Sequence, residues 1–428
     1  MNTVAFHTFG CKLNFSETST IERKFKQKGY KKISINDNPN KVIINTCSVT
    51  ENADKKCKEL IKKIKNKSPK TEIDIIGCYA QLKPKEISQI NGVNLVLGMK
   101  EKFEISNYFN DKKEKILHSK INEITKFNST YSINERTRAF LKIQDGCNYG
   151  CSFCTIPLAR GKSRSNTIDE VLNKINKLIS KGSKEIVLSG INIGDFGIIN
   201  GKRKESFTDL IIAIEKINKK IRFRISSIEP NLLNDKIIKI ISKSNKFLNH
   251  FHMPLQSGNN KILKDMSRRY TKELYEKKVK KIKSLMPDAC IGGDVIVGFP
   301  GESKSDFKET YKFINNLSIN YLHVFPYSER VNTRADIMKN KIPTNEKALR
   351  SKMLRILSDK KKRFFYDKNI GLKKNVLFEK GKKNDWVNGF TENYIKVKVP
   401  YNDNIIGKIK SVRLKKTTND LTVIGDLI

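Results

Sequence analysis

Residues 146–157 read GCNYGCSFCTIP, and the three cysteines of this stretch, Cys147, Cys151 and Cys154, have no fourth cysteine nearby. A disulfide framework needs an even number of cysteines in a short secreted chain. A structural zinc site closes with four ligands, and an iron–sulfur cubane uses one thiolate for each of its irons. Three cysteines therefore indicate either a missing partner or a metal position that is left open.

The stretch follows AFLKIQ at 139–144, the first of six predicted strands in the middle of the chain. The other five are EIVLSG (185–190), RFRISS (222–227), HFHMPL (250–255), GGDVIVGF (292–299) and YLHVFPY (321–327). Helical patterns separate most of them, but six β/α units are too few for a closed eightfold barrel. The sequence therefore predicts an open, partial (β/α)6 barrel, with its chemistry at the carboxyl ends of the strands, where the three cysteines lie.

The first 100 residues alternate strand and helix patterns, which predicts a doubly wound parallel sheet of the α/β class. Strands are predicted at 3–10, 41–47, 71–78 and 93–98, and helices at 16–29, with Ser16 as the cap, and at 51–68.

Three further cysteines, Cys11, Cys47 and Cys78, each follow one of these strands. The carboxyl edge of an open parallel sheet is where ligands bind, so they predict a second three-thiolate site. The alternative is three unrelated buried cysteines. Cys57, on the apolar face of its predicted helix, and Cys290, at the opposite end of the barrel from the chemistry, are expected to be core residues.

The remaining sequence predicts a linker, a basic helix and a small C-terminal domain. Residues 101–137 are polar and predict a sheet-edge element and a linker, and 344–371 predict one basic helix ending at Gly371. The short alternating strands that follow are typical of a small antiparallel β-barrel, which often binds RNA. The expected domains are 1–130, 131–368 and 369–428.

The charge balance points to a polyanionic partner. The chain has 428 residues and a formal net charge of +41, which favours nucleic acid, although a generally lysine-rich surface is the alternative. No signal peptide is recognisable, and no apolar run reaches the roughly 20 residues of a membrane span. A cytoplasmic protein with reduced thiols and no membrane partner is expected.

The motif C-x3-C-x2-C at 147–154 resembles the signature of radical S-adenosylmethionine enzymes. The segments TFGCKLN (8–14), NTCSVT (45–50) and GCYAQ (77–81) extend the resemblance to the radical methylthiotransferases, and the C-terminal strands resemble their RNA-binding TRAM domain. LSGINIGDFG, ISSIEP, HFHMPLQSG and LHVFPYSER are most similar to the enzymes that methylthiolate N6-threonylcarbamoyladenosine in tRNA. One departure is Asn332, where the family usually has glycine; asparagine tolerates a positive φ better than most residues.

The resemblance implies two [4Fe–4S] clusters. Cys147, Cys151 and Cys154 would hold the radical cluster, whose open iron binds S-adenosylmethionine, and Cys11, Cys47 and Cys78 would hold an auxiliary cluster used in sulfur insertion. S-adenosylmethionine would be both methyl donor and radical source, acting on C2 of the adenine at position 37 in the tRNA anticodon loop. A reducing electron donor is implied, and a monomer is expected.

Further cofactor contacts are expected around the barrel mouth. Phe153 precedes the last cysteine and would lie near the adenine of the cofactor, and the other candidates follow later strands: Ser189, Gly190, Glu229, Gln256 and Gly298. Ordinary packing is the alternative for each of these residues.

The sequence is compatible with several related substrates. A threonylcarbamoyl group carries a carboxylate that needs a cation, and Arg160, Arg164, Arg268, Arg269 and Arg330 are the candidates, unless they bind tRNA phosphates. The alternatives are isopentenyladenosine in tRNA, an aspartate of ribosomal protein S12, or an iron–sulfur protein that binds RNA or carries electrons without catalysis.

Overall fold

The computed structural model describes residues 2–48, 50–108, 114–133, 137–381 and 385–428. Val49 of the NTCSVT segment lies outside the described residues, as do parts of the predicted linker. Among the described helices, none is both long and apolar enough to cross a membrane.

The N-terminal region is a parallel sheet with the strand order β2-β1-β3-β4-β5-β6, with helices on both faces. Its elements are β1 (Thr3–Thr8), α1 (Lys12–Gln27), β2 (Lys31–Lys32), β3 (Lys41–Thr46), α2 (Glu51–Lys67), β4 (Glu72–Gly77), α3 (Cys78–Leu82), α4 (Pro84–Ser88), β5 (Val93–Leu97) and β6 (Ile116–Leu117). Ile21 and Phe25 of α1 pack on one face of the sheet, and Ile61 and Ile64 of α2 pack on the other. The predicted doubly wound sheet is confirmed.

The start of α1 differs from the prediction. The residue that caps the helix is Cys11, because the left-handed turn at Gly10 (φ 90°) sends the chain from β1 directly into the helix. Ser16, predicted as the cap, lies inside α1, where its hydroxyl donates to the Leu13 carbonyl at 2.9 Å and meets the Thr130 hydroxyl at 2.8 Å. Serine generally favours the N-cap position. Here the connection between β1 and α1 is so short that the helix begins before Ser16 is reached.

The central region is the predicted open barrel. Its elements are β7 (Thr130–Tyr131), β8 (Ala139–Lys142), β9 (Gln144–Asp145), α5 (Ile156–Arg160), β10 (Arg164–Ser165), α6 (Ile168–Ser180), β11 (Glu185–Ser189), β12 (Ile198–Ile199), β13 (Lys202–Arg203), α7 (Phe207–Glu215), β14 (Arg222–Ile225), α8 (Asp235–Lys243), β15 (His250–His252), α9 (Asn260–Asp265), α10 (Lys272–Leu285), β16 (Cys290–Val297), α11 (Lys304–Asn316) and β17 (Tyr321–Pro326). Two parallel sheets, β8-β11-β14 and β15-β16-β17, are joined by parallel bridges from Phe223 to Phe247 and from Ser227 to His252.

Alternate residues of these strands face opposite sides of the barrel wall. One set, including Leu141, Ile186 and Val295, packs against the surrounding helices in a large apolar core. The other set is largely polar and faces the interior, as Lys142 and Asp294 do. The interior of this barrel is therefore lined largely by polar side chains.

Helix α1 connects the N-terminal sheet to the barrel. Phe15 meets Phe140 of β8 edge to face at 5.7 Å, and Arg23 donates to the Tyr131 carbonyl of β7 at 2.8 Å. β7 pairs antiparallel with β8 and forms the edge that α1 covers. The N-terminus of α1, with Cys11, is thereby held beside the barrel interior.

The C-terminal part begins with the basic helix α12 (Thr344–Asp367), which ends four residues before Gly371, where φ is 85°. A closed barrel follows in the order β18-β19-β20-β22-β21, from β18 (Lys373–Phe378), β19 (Trp386–Thr391), β20 (Lys396–Pro400), β21 (Ile409–Thr417) and β22 (Val423–Leu427). Its strands pair antiparallel except β20 with β22, which are parallel.

The small barrel covers the amino ends of the central strands. Tyr394 stacks on His250 at 4.1 Å, and Arg224 donates to the Thr391 carbonyl at 3.3 Å. Cys290 is 2% exposed and shares the small barrel's core, while Cys57, 1% exposed, lies in the core beneath α2. Both predictions of core cysteines are confirmed.

Candidate metal centres and active site

The loop after β8 and β9 carries Cys147, Cys151 and Cys154 at the carboxyl end of the barrel. A left-handed turn at Gly146 (φ 70°) starts the loop, and a Cβ there would lie 2.1 Å from the Lys162 carbonyl oxygen, so only glycine fits. Two backbone amides turn toward the sulfurs: Tyr149 N–H donates to Cys147 Sγ at 3.3 Å and Ile156 N–H to Cys154 Sγ at 3.5 Å. The Arg268 guanidinium donates to Cys151 Sγ at 3.0 Å.

These three donors stabilise negative charge on sulfur, while the surroundings of the free thiols oppose it. Burial raises the pKa of Cys147 and Cys154 to about 12, and it also raises the pKa of Cys151, against which Arg268 acts. Buried thiols of this kind release their protons when they bind a metal centre, because the metal supplies the compensating positive charge. The loop therefore has the donors of a metal site and no nucleophilic thiolate of its own.

The second set of cysteines lies at the carboxyl edge of the N-terminal sheet. Cys11 caps α1 after β1, Cys47 follows β3, and Cys78 begins α3 directly after β4. A Cβ on Gly10 would lie 2.6 Å from the Cys47 Cβ and 2.8 Å from its Sγ, and a Cβ on Gly77 would lie 2.4 Å from Asn45 Oδ1. Both glycines, each with a positive φ, let the backbone bring the three loops together.

Neither set of thiols is close enough together to hold a single ion with all three sulfurs. A single tetrahedral zinc with Zn–S bonds of about 2.3 Å would hold its sulfurs about 4 Å apart. Among the described residues, the group whose potential ligand atoms all lie within 4.8 Å of one another is His252, Asp294 and His323, and neither cysteine set meets that limit. All eight cysteines are free of disulfides, so both sets are available as ligands.

A buried charge network lies between the two cysteine sets and also fits an anionic cluster. Glu17 of α1 pairs with Lys102 at 2.6 Å and Lys142 at 2.9 Å, and Asp145 pairs with Arg160 at 2.9 Å. Arg160 also contacts Glu17, and Arg164 contacts Asp145 at 3.4 Å, so four cations share two carboxylates among the described residues.

The excess of positive charge in this network acts on the auxiliary set. Burial raises the pKa of Cys78, and Arg160 and Lys102 oppose that rise. Burial alone would lower the pKa of Arg160, but Glu17 and the Cys78 sulfur hold it well above its ordinary range. Uncompensated buried charge is costly, so a cluster held by three thiolates, which is itself anionic, would balance this region. The residues present fit the implied auxiliary group.

The candidate cofactor contacts differ in how closely the protein packs around them. Phe153 is half-buried and packs edge to face on Phe299 at 6.4 Å. Ser189 is fully buried at the end of β11, and its hydroxyl donates to the Val187 carbonyl at 3.2 Å. Gly190 follows, where a Cβ would lie 2.9 Å from Gln144 Oε1, so a larger residue would displace that side chain.

The remaining candidates come from later strands. Glu229 pairs with Arg268, and burial raises the pKa of its carboxyl despite that cation. Gln256 has a positive φ of 63°, and its buried Oε1 has no hydrogen-bond partner among the described residues. Gly298 (φ 70°) donates its N–H to Glu302 Oε2 at 2.6 Å, and a Cβ there would collide with Lys347. Gln256 thus presents an unsatisfied acceptor at the barrel mouth.

The barrel interior below the loop holds a hydrogen-bonded group that sequence reasoning missed. Asp294 Oδ1 accepts from His252 Nε2 at 2.9 Å and from His323 Nδ1 at 3.1 Å, and the Tyr321 hydroxyl lies 3.1 Å from His252 Nδ1. Burial would raise the pKa of Asp294, but the two imidazoles hold it well below its usual range. The period of two in HFH, GGDVIV and YLHVF was the signal that these side chains share one side of the wall.

Most of the predicted arginines are engaged within the protein. Arg160 is fully buried in the charge network, Arg164 donates to the Arg160 carbonyl at 2.7 Å, and Arg330 donates to the Ser48 carbonyl at 2.7 Å and pairs with Asp54. Arg268 is shared by Glu229 and Cys151. Arg269 is the exposed member of the five and stacks on Tyr149 at 4.0 Å. Asn332 has a φ of 68°, in the left-handed region that glycine adopts readily.

Comparison with known proteins gives two family matches. Residues 141–314 match the Radical SAM superfamily, and residues 3–98 match uncharacterized protein family UPF0004. A structure of the radical S-adenosylmethionine methyltransferase TsrM from Kitasatospora setae superimposes with a TM-score of 0.56 and 11% identity, covering 79% of this chain and 77% of that one. That likeness supports the fold.

Curated relatives match along nearly the whole chain. The threonylcarbamoyladenosine tRNA methylthiotransferase MtaB of Bacillus subtilis is 37% identical over 97% of this chain and 94% of its own length. The protein of the same name from Aquifex aeolicus is 38% identical over 92% of this chain and 96% of its own length. The tRNA-2-methylthio-N(6)-dimethylallyladenosine synthase of Clostridium botulinum (strain Loch Maree) is 32% identical over 98% of this chain and 96% of its own length.

Proposed function

The chain belongs to the radical S-adenosylmethionine tRNA methylthiotransferases, and we propose that it methylthiolates C2 of N6-threonylcarbamoyladenosine at position 37 of tRNA. The observation that carries the proposal is the pairing of two separate three-cysteine sites at one interface, since the reaction needs both a carbon radical and a source of sulfur. The higher identity to the threonylcarbamoyladenosine relatives than to the dimethylallyladenosine relative supports this choice of base.

In this proposal Cys147, Cys151 and Cys154 hold a [4Fe–4S] cluster that binds S-adenosylmethionine, and Cys11, Cys47 and Cys78 hold the auxiliary [4Fe–4S] cluster. When bound, these groups supply reductive cleavage of S-adenosylmethionine and the methylthio group for C2. The amides of Tyr149 and Ile156 stabilise two of the thiolates of the loop.

Arg268 has the central positioning role at the radical site. Its guanidinium donates to Cys151 Sγ and to the Glu229 carboxylate, so it fixes one cysteine and one cofactor-facing acid in the same arrangement. Glu229, with Gln256 Oε1, offers acceptors at the mouth for the cationic amino group of the cofactor's methionine part.

The other candidate residues shape the pocket. Ser189 and Gly190 end a buried strand whose backbone would meet the cofactor's amino-acid end, and the backbone of Gly298 would lie at the adenine end. Phe153, packed on Phe299, offers an apolar face for the adenine and excludes water beside the loop.

We assign the three parts of the chain different tasks. Residues 1–130 hold the auxiliary site, 131–368 hold the radical site, and 369–428 bind tRNA outside the reacting base. The exposed cations of β21, such as Lys410 and Arg413, supply the phosphate contacts. The protein would act in the cytoplasm as a monomer, with a reducing electron donor as its other partner.

The test supplies reduced, reconstituted enzyme and S-adenosylmethionine to two purified tRNAs that carry either threonylcarbamoyladenosine or isopentenyladenosine at position 37. Mass spectrometry of the nucleosides should show the methylthio product from the first tRNA. Product from the isopentenyl tRNA alone would overturn the proposal in favour of the dimethylallyl substrate. A third reaction supplies ribosomal protein S12, and methylthiolation of that protein with neither tRNA modified would replace the proposal with a protein target.

A further inference from the structure

The interior side of β16 and β17 carries three pairs of neighbouring residues, one after another along the barrel. Val295 and Val324 pack into the outer apolar core, so the residues directly before and after them in sequence face the interior. From the amino to the carboxyl end, the register pairs Gly292 with Tyr321, Asp294 with His323, and Ile296 with Phe325. Successive pairs lie about 6.6 Å apart along the strands, so they form three layers of the interior wall.

The first layer covers the amino end of this wall. The Tyr321 ring lies across β16 at Gly292, where a Cβ would be 2.0 Å from the ring's Cζ atom. The Tyr321 hydroxyl lies 2.9 Å from His250 Nε2, and Tyr394 of the small barrel stacks on the His250 ring. These rings cover the amino end, so a ligand would approach the wall from the carboxyl end, where the cysteine loop lies.

The middle layer is polar and presents one unused ring nitrogen. Asp294 Oδ1 accepts from His252 Nε2 at 2.9 Å and from His323 Nδ1 at 3.1 Å. The other ring nitrogen of His252 lies 3.1 Å from the Tyr321 hydroxyl. The side chain of His323 is 57% exposed, and its Nε2 has no hydrogen-bond partner in the described part of the chain. Asp294 therefore orients an imidazole whose second nitrogen is open to a ligand.

The third layer is apolar and lies nearest to the radical site. Phe325 is 41% exposed, although it is a large apolar side chain on the interior side of β17. Ile296, its neighbour on β16, packs on the apolar cluster that contains Phe299, and Phe153 of the cysteine loop packs on the same cluster. An accessible aromatic ring at this position offers a surface on which another aromatic ring can pack.

The order of these layers matches the parts of the proposed base. Its reacting carbon, C2, belongs to an aromatic ring, which suits the apolar layer beside the cysteine loop. The urea, hydroxyl and carboxylate of the threonylcarbamoyl group extend from N6 beyond the ring, and they suit the polar layer. Binding sites commonly combine apolar walls with a few polar groups that fix the orientation of the ligand.

Resting on the function proposed above, we propose that this interior wall binds the target base, with Phe325 packed on the adenine and His323 Nε2 hydrogen-bonded to the threonylcarbamoyl group. An isopentenyl group has no polar atom, so it removes Nε2 from water without replacing the lost hydrogen bond. His323 thereby selects the threonylcarbamoyl base over the isopentenyl base, while Phe325 serves the ring that both bases share.

A binding experiment separates the two roles. The full-length, cluster-loaded enzyme with S-adenosylmethionine is titrated with anticodon stem-loops that carry either threonylcarbamoyladenosine or isopentenyladenosine, and binding is followed by fluorescence anisotropy. His323→Leu should weaken binding of the threonylcarbamoyl stem-loop roughly tenfold and should not weaken binding of the isopentenyl one. His323→Gln, which keeps a hydrogen-bonding group, should retain most of the preference. Phe325→Leu should weaken both stem-loops severalfold and by a similar factor.

The matched control is Phe364→Leu, which removes an exposed aromatic ring from α12, outside the barrel interior. It should bind both stem-loops as wild type does, and iron content should be equal in all variants. If His323→Leu keeps the wild-type preference, or if Phe325→Leu binds both stem-loops as tightly as wild type, the assignment of this wall is wrong. If the wild type itself does not prefer the threonylcarbamoyl stem-loop, the proposed function fails instead.

Discussion

The two cysteine sites of this protein are built in opposite ways. Cys147, Cys151 and Cys154 lie on one loop that follows one strand, whereas Cys11, Cys47 and Cys78 come from three loops of one sheet. In the first site the loop itself supplies two of the hydrogen bonds to sulfur. The second depends on glycine turns and on a charge network reaching into the neighbouring region. A local site tolerates changes elsewhere, while an assembled site depends on every element that brings its parts together.

The largest effect is expected from removing either set of ligands. Cys147→Ala/Cys151→Ala/Cys154→Ala and Cys11→Ala/Cys47→Ala/Cys78→Ala should each reduce the iron of the reconstituted protein from about eight to about four per chain. Only the first triple variant should abolish reductive cleavage of S-adenosylmethionine, measured as 5′-deoxyadenosine by chromatography. The methylthio product should disappear in both.

Cys57→Ala is the control for cysteine loss, because this buried thiol lies in the core beneath α2. It should keep all of its iron and lose only about 1–2 kcal/mol of unfolding free energy. Two results would contradict the division of roles: about four irons in the intact protein, or cofactor cleavage that persists without the loop cysteines.

A smaller effect, specific to one site at a time, is expected from adding a single methyl group. At Gly10, alanine would press on Cys47 Cβ at 2.6 Å, and at Gly146 it would press on the Lys162 carbonyl at 2.1 Å. Gly10→Ala should lower the iron held by the auxiliary cysteines and leave cofactor cleavage intact. Gly146→Ala should leave the auxiliary iron in place and reduce cofactor cleavage. Iron analysis paired with the cleavage assay separates the two.

The control for the positive φ is Gly29→Ala. Gly29 has a φ of +81°, yet nothing lies within 4 Å of a Cβ there. The substitution should cost only the backbone strain of about 1–2 kcal/mol, seen as a lower melting temperature with full iron. An equal loss of iron in Gly29→Ala would show that general instability, rather than crowding at the cysteines, explains the glycine variants.

The same contrast between local and assembled features explains what the sequence could predict. The cysteine loop has a spacing that can be read directly, and Cys11, Cys47 and Cys78 became a predicted site once β1, β3 and β4 were recognised as parallel strands. The core placement of Cys57 followed from helical periodicity. Each of these inferences needs only the period of one element or the direction of neighbouring strands.

Side-chain partners between distant elements could not be predicted in this way. Arg160 lies six residues after Cys154 in a segment rich in donors, yet it is fully buried against Glu17 of α1. Ser16 has the residue type of a cap, but the turn at Gly10 starts the helix before it. Such outcomes depend on how α1 packs against β7 and β8, which no local pattern of either segment contains.

The smallest effect is expected far from both sites, on the C-terminal barrel. Lys410 and Arg413 are exposed on β21, and neither is paired with a described carboxylate. If this barrel contacts tRNA phosphates, Lys410→Gln/Arg413→Gln should weaken tRNA binding severalfold and lower the slope of log affinity against log salt by about 1–2.

Point substitution is the appropriate change because Tyr394 stacks on His250 and Cys290 belongs to the barrel's core, so deletion would expose the central barrel. The matched control is Lys62→Gln/Lys63→Gln on α2, which removes the same charge from an exposed surface of the N-terminal region. Binding is measured by anisotropy at several salt concentrations, and cofactor cleavage without RNA should be unchanged in both variants. Equal salt slopes for the two variants would mean that tRNA is held by the general positive charge of the protein rather than by the C-terminal barrel.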